Sequence, residues 1–185
     1  MLDFIFLRKT LFFASRAMSG LVRKRQPDTP YIIHPYSVGL HLLTESIQNT
    51  ILIAVAFLHD LLEETNVSIL TLEKNFGKIV TDLVVELTDP KILRSNKIIL
   101  EEFKIKHIRE SASNDAVFVS LVDKIDNAKS LSYELKNGLI TDISRKENYY
   151  HGLLSSYKER QATVNNPVYN KMLLEYERIV LELWK

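Results

Sequence analysis

An all-α fold is predicted for this chain on three observations. Glycine and proline are scarce, five of each in 185 residues, which suits long helices joined by short connections. Apolar residues recur at three- and four-residue intervals through several segments, the period of an amphipathic helix. Nowhere does apolar and polar alternation run long enough to mark a strand. About eight or more helices are expected. The length suffices for one domain with a sizeable core, and a single domain over residues 1–185 is the expectation.

Composition narrows the function classes. Hydrophobic residues make up 46% and charged residues 25% of the chain, ordinary for a globular protein. The net charge of +1 gives no global field for nucleic acid or an anionic membrane. Neither partner is expected, and any anion recognition must come from local clusters. The absence of cysteine excludes disulfide staples and thiolate metal sites and fits a reducing, cytoplasmic setting.

Taken in order, the chain opens with MLDFIFLRKTLFFASRAM. This stretch is apolar but interrupted by Asp3, Arg8, Lys9 and Arg16. Its apolar runs are too short to span a bilayer, and it lacks the organisation of a secretory signal. A packed first helix from about Asp3 to Ser19 is expected, with Gly20 as its stop. The basic cluster Arg23-Lys24-Arg25 follows, then Gln26-Pro27-Asp28-Thr29-Pro30, which reads as turn chemistry. After Tyr31-Ile32-Ile33-His34, Pro35 can open a helix carrying Val38, Leu42 and Leu43.

The next stretch, ILIAVAFLHDLLEET over Ile51–Thr65, organises the rest. Its first eight residues are all apolar, the mark of an element buried on every side. With no glycine or proline inside, it reads as one helix. On that helix Glu63 falls four residues after His59, and Glu64 four after Asp60, so each pair shares a face. Charge driven onto the end of a buried element costs several kcal/mol unless it is paired. A bound cation is the simplest remedy.

Beyond the loop at Thr65–Ser68, a short helix over Thr71–Phe76 stops at Gly77. A second stripe of Ile79, Val80, Leu83, Val84 and Leu87 follows, broken by Thr88-Asp89-Pro90. A charged helix is expected from about Arg94 to Arg109. Capping residues at Ser111–Asp115 introduce another over Ala116–Leu131, apolar up to Val122 and then polar at Asp123, Lys124, Asp126 and Asn127. Two final helices are expected over about Asp142–Ala162 and Pro167–Trp184.

Two buried apolar helices therefore end in polar groups, one in His59-Asp60 and the other in Asp123. Asn127 and Ser130 share the face of Asp123, at four and seven residues further on. With His34 this makes two imidazoles and two carboxylates, a mixed N/O set that suits Mn²⁺, Fe²⁺ or Zn²⁺ with positions left open for water. Such a metal generates a hydroxide or polarises a phosphoryl oxygen. Taken singly, the residues also admit plainer readings. His34 can be a helix-start histidine, Asp123 can pair with Lys124 or Lys129, and Arg23-Lys24-Arg25 can be a solvated charge run.

The order H…HD…D, with its first histidine in the word YIIHP, resembles the HD superfamily of metal-dependent phosphohydrolases. The narrower words RK, TPYIIHP, AFLHDLLEET, FG, ELTD and LVDKIDN together resemble the hydrolase domain of the RelA/SpoT family, most of all its stand-alone small alarmone hydrolases. The resemblance covers Leu11 to Leu131 and implies an HD-domain helical bundle. By that resemblance His34, His59, Asp60 and Asp123 hold Mn²⁺. Glu63 and Glu64 orient or deprotonate the attacking water. Arg23 and Lys24 lie near the nucleotide, and Asn127 and Ser130 form the nucleoside-binding face. The implied reaction removes the 3′-pyrophosphate of (p)ppGpp to give GDP or GTP and pyrophosphate.

Three positions depart from the family pattern. Glu64 stands where an aspartate is usual, and Ser130 where threonine is common. Leu100-Glu101-Glu102-Phe103 occupies the region in which the family has a basic pair. The same resemblance allows a different nucleotide as substrate, such as (p)ppApp, the 2′-phosphate of NADPH or a deoxynucleotide. It also allows a module that binds an alarmone without cleaving it.

Overall fold

The computed structural model describes residues 1–185. It contains nine α-helices and one two-stranded antiparallel hairpin, in keeping with the all-α expectation. The chain divides into two compact units, Met1–Thr88 and Asp89–Lys185.

In the first unit, α1 (Phe4–Ala17) begins where the Asp3 carboxylate accepts the Phe6 N–H at 2.9 Å, the usual satisfaction of a first-turn donor. The helix buries Leu7, Thr10 and Ala14. Gly20 takes φ +80° just beyond its end, a backbone region that glycine enters without a Cβ penalty. The segment read as turn chemistry is instead a strand. β1 (Val22–Arg23) pairs with β2 (Gln26–Pro30), with Arg23 opposite Gln26. A two-residue partner leaves no alternation to detect, and Pro27 and Pro30 speak against a strand unless it lies at an edge.

Helix α2 (Ile33–Thr44) packs against α3 (Thr50–Leu58), which also receives α1. Asn49 caps α3 by accepting the Leu52 N–H at 3.1 Å. Leu52 through Leu58 are each no more than 3% exposed, so this helix is buried on every side as its sequence predicts. The expected single helix from Ile51 to Thr65 is interrupted, however. His59 closes α3, and the single turn α4 (Leu61–Glu64) follows Asp60. Asp60 has ψ −3°, which opens the helical repeat while its carbonyl still accepts the N–H groups of Glu63 and Glu64.

Helix α5 (Ile69–Leu87) is interrupted at Gly77, whose φ of 79° and ψ of 169° are non-helical. The expected short helix and following stripe therefore meet at a kink built on the one residue type that tolerates it.

The second unit begins with a 3₁₀ turn (Lys91–Leu93) and α6 (Lys97–Glu110). The long α7 (Asn114–Lys136) is capped by Ser113, whose hydroxyl accepts the Ala116 N–H at 3.3 Å. Helices α8 (Ser144–Val164) and α9 (Pro167–Leu183) meet at Asn165, in the left-handed region with φ 44°. Asn166 then caps α9, and Pro167 occupies its first turn, where its missing N–H costs nothing. Helix α6 packs on α8, α7 on α8 and α9, and α8 on α9. The core here is rich in tyrosine. Tyr157 OH meets Ser120 Oγ at 2.8 Å, and Tyr169 OH donates to the Tyr157 carbonyl at 2.8 Å. Tyr150 is buried against Tyr176 and Trp184. No helix is long and apolar enough to cross a membrane.

Candidate metal centre and active site

His34, His59 and Asp60, predicted as ligands from the sequence, come together in the first unit. One potential ligand atom from each lies within 4.8 Å of the others. Three structural features produce this. His34 sits in the first turn of α2, 3% exposed. His59 caps the C-terminus of the buried α3 and is 6% exposed. Asp60 stands at the break between α3 and α4. The imidazoles meet edge to face, centroids 5.2 Å apart at 78°. His59 Nε2 is 3.2 Å from Asp60 Oδ1, and His34 Nε2 is 3.6 Å from Asp60 Oδ2.

The donor chemistry fits a divalent ion. His59 Nδ1 lies 2.8 Å from the Ala56 carbonyl oxygen. A carbonyl only accepts, so the ring proton belongs on Nδ1 and the Nε2 lone pair is turned toward the Asp60 carboxylate. That is the tautomer and orientation of a metal-ligating histidine steadied by a backbone carbonyl. Two lone-pair donors 3.2 Å apart repel in a buried setting unless a cation or proton is shared between them. Metal–ligand bonds of about 2.0–2.2 Å are compatible with three donor atoms so closely grouped.

Tyr31 joins this cluster without having been singled out by the sequence. Its hydroxyl donates to Asp60 Oδ2 at 2.7 Å. Burial, then the Asp60 charge and that hydrogen bond, push the phenol's pKa up from its ordinary value. The proton therefore stays on Tyr31 and the charge on Asp60. The residue was visible as the first letter of YIIHP, but nothing in the word indicates where its hydroxyl points.

Glu63 and Glu64 lie in α4, one turn beyond the cluster. Glu63 is half-buried, as is Asp60, whereas Glu64 is exposed, so of the charge placed at the end of the buried helix only the second glutamate lies fully in solvent. In the basic hairpin Arg23 is half-buried and Lys24 exposed. The Arg23 guanidinium lies 5.5 Å from the centre of the Tyr31 ring.

The remaining predicted residues belong to the second unit. Asp123 is 9% exposed on α7. Its two carboxylate oxygens accept from Lys124 Nζ and Asn127 Nδ2. Burial alone would lower the Lys124 pKa, but the Asp123 charge and the hydrogen bond to it outweigh burial and hold the pKa well above the usual lysine value. Lys124 therefore remains an ammonium. Ser130 is half-buried on the same helix. In the region where the family's basic pair was missed, Lys104 pairs with Asp89 at 2.6 Å, and Arg145 approaches Glu101 at 4.0 Å.

Residues 11–147 match the family described as the HD domain. The chain belongs to the HD domain family. Within it the chain groups with RelA/SpoT-type members. This HD domain is 36% identical over 120 residues to the guanosine-3′,5′-bis(diphosphate) 3′-pyrophosphohydrolase of Xenopus tropicalis, covering 64% of this chain and 65% of that protein. It is 32% identical over 129 residues to the Drosophila melanogaster protein of the same name, covering 69% of each. The chain thus spans about two thirds of the length of these curated relatives. A solved structure described as a metazoan ortholog of SpoT that hydrolyzes ppGpp superposes on 100% of this chain and 98% of that chain. Its TM-score is 0.81 and its sequence identity 25%.

Proposed function

We propose that this HD domain is a (p)ppGpp 3′-pyrophosphohydrolase that uses a divalent ion, Mn²⁺ by preference, and acts in the cytoplasm. The observation that carries the reading is the cluster of buried His34 and His59 with half-buried Asp60, set in a chain whose relatives are named for this reaction.

His34, His59 and Asp60 would hold the ion. Bound there, it would supply Lewis-acid polarisation of a phosphoryl oxygen and a lowered pKa for water. Glu63, half-buried one turn beyond Asp60, accepts the proton of the attacking water. Glu64 assists from the exposed side of the same turn. Arg23 and Lys24 offset charge on the diphosphate, where a planar guanidinium can grip two oxygens at once. Asn127 and Ser130 contact the nucleoside. Asp123 is proposed as a further ligand on its place in the ordered motif alone.

The test is direct. Purified protein with Mn²⁺ should release pyrophosphate from ppGpp, and its turnover should exceed that of (p)ppApp, NADPH and deoxynucleotides in the same panel. Glu63→Gln should retain metal and lose turnover; full activity in that variant removes glutamate from the role. Asp123→Ala should lower bound metal, and unchanged metal content removes Asp123 from the ligand set.

A further inference from the structure

We propose that Tyr31 is a positioning residue that fixes the Asp60 carboxylate for metal binding and links the basic hairpin to it. The inference rests on the metal site proposed above and concerns a residue that no part of that reading uses.

One side chain makes three contacts that bear on the site. The Tyr31 hydroxyl donates to Asp60 Oδ2 at 2.7 Å. The Tyr31 ring stands edge to face with the His34 ring, centroids 6.3 Å apart. The Arg23 guanidinium lies over the same ring at 5.5 Å. The Tyr31 backbone is held as well, since its N–H donates to the Leu21 carbonyl at 2.8 Å and its carbonyl accepts the His34 N–H at 3.0 Å. Tyr31 is therefore anchored at the hairpin's end and at the start of the helix that carries His34.

The physical need is specific. The terminal torsion of an aspartate is soft and roughly two-fold, so an unrestrained Asp60 can turn either oxygen toward the imidazoles. A phenol offers one proton to one oxygen. Donating it to Oδ2 sets the rotation of the carboxylate and leaves Oδ1 directed at His59 Nε2, 3.2 Å away. Removing a partner that orients a ligating group in this way typically lowers metal affinity about 10- to 100-fold. The ring contributes separately, because its face gives Arg23 a seat whose position is coupled to the Asp60 carboxylate through one rigid side chain.

Three variants separate the two contributions. Tyr31→Phe removes the hydroxyl and keeps the ring. It should weaken Mn²⁺ binding, measured by calorimetry without nucleotide, by about 10- to 100-fold. Its KM for ppGpp at saturating Mn²⁺ should stay at the wild-type value. Arg23→Ala should leave Mn²⁺ affinity unchanged and raise KM. Tyr31→Leu, lacking both ring and hydroxyl, should do both. Melting in excess Mn²⁺ checks that each variant is folded. If Tyr31→Phe binds Mn²⁺ as tightly as wild type, or only melts earlier, the positioning role is overturned. If wild-type protein itself binds no Mn²⁺, the metal site proposed above has failed and the inference falls with it.

Discussion

The C-terminal end of α3 and the middle of α7 look alike in sequence and differ in chemistry. Each is a run of buried apolar residues that ends in a carboxylate, Asp60 in one case and Asp123 in the other. Around Asp60 the structure places two imidazoles and a phenol. Around Asp123 it places an ammonium and an amide from the same helix. The second carboxylate has a counter-charge on its own helix, and the first meets the two histidines proposed above as ligands and the Tyr31 hydroxyl. An apolar run ending in an acid therefore marks a carboxylate drawn away from solvent, and its neighbours decide which groups share its charge.

The largest expected effect tests the first half of this contrast. Asp60→Ala should abolish stoichiometric Mn²⁺ binding and reduce turnover of ppGpp by about a thousand-fold or more, since metal polarisation supplies several kcal/mol at 1.36 kcal/mol per decade. Metal content by elemental analysis and steady-state rates check it. A variant that keeps one ion per chain would show that His34 and His59 suffice and that Asp60 is not the pivot.

The other half is tested by Lys124→Met. Lys124 and Asp123 are 14% and 13% exposed in their side chains, so removing the ammonium strands a largely buried carboxylate. A loss of about 3 kcal/mol is expected in urea unfolding of metal-free protein. The double variant Asp123→Asn/Lys124→Met should recover most of it, because the uncompensated charge goes with the partner. If the single variant is as stable as wild type, Asp123 is not neutralised within its own helix and the contrast collapses.

How much of this was legible beforehand follows from the range of each interaction. The buried α3, the capping residues before α7 and the break at Gly77 are local signals, and the structure agrees with them. His34, 25 residues before His59 by number, was placed only through the family word around it, and the structure brings its ring edge to face with that of His59. The hairpin escaped because a two-residue strand has no periodicity. The break after His59 escaped because both His59 and Asp60 keep near-helical torsions, so composition shows no interruption. The Tyr31 contact joins residues 29 apart, whereas the Asp123 pairing with Lys124 was among the readings the sequence offered. The Tyr31 contact has no sequence signature.

The two units also share a packing device, and it yields the smaller effects. Gly39 on α2 faces Phe57, two residues before His59, and a Cβ at Gly39 would overlap the ring. Phe57 is 1% exposed and rigid, so it cannot step aside. Gly39→Ala should therefore cost about 1–3 kcal/mol through overpacking, less the roughly 1 kcal/mol that alanine contributes to a helix interior. A melting temperature lower by several degrees is expected, with Phe57→Leu in the double variant relieving part of it. Unchanged melting would mean that α2 and α3 can separate without cost, and the placement of His34 against His59 would then be soft.

Gly152 on α8 is the counterpart in the second unit, and the smallest change is expected there. A Cβ at this position would lie 2.6 Å from Ile105 Cδ1 and 3.2 Å from its Cγ1. The obstacle is the tip of an aliphatic side chain, which a change of rotamer can withdraw, rather than an aromatic ring fixed on all sides. The overpacking penalty should fall near its lower limit of about 1 kcal/mol, and the helix gain of alanine over glycine is of the same size. Gly152→Ala should thus melt within about 3 °C of wild type, given roughly 2–4 °C per kcal/mol for a chain of this length. A fall as large as that of Gly39→Ala would show Ile105 to be as immobile as Phe57. In that case rigid packing would be common to both units.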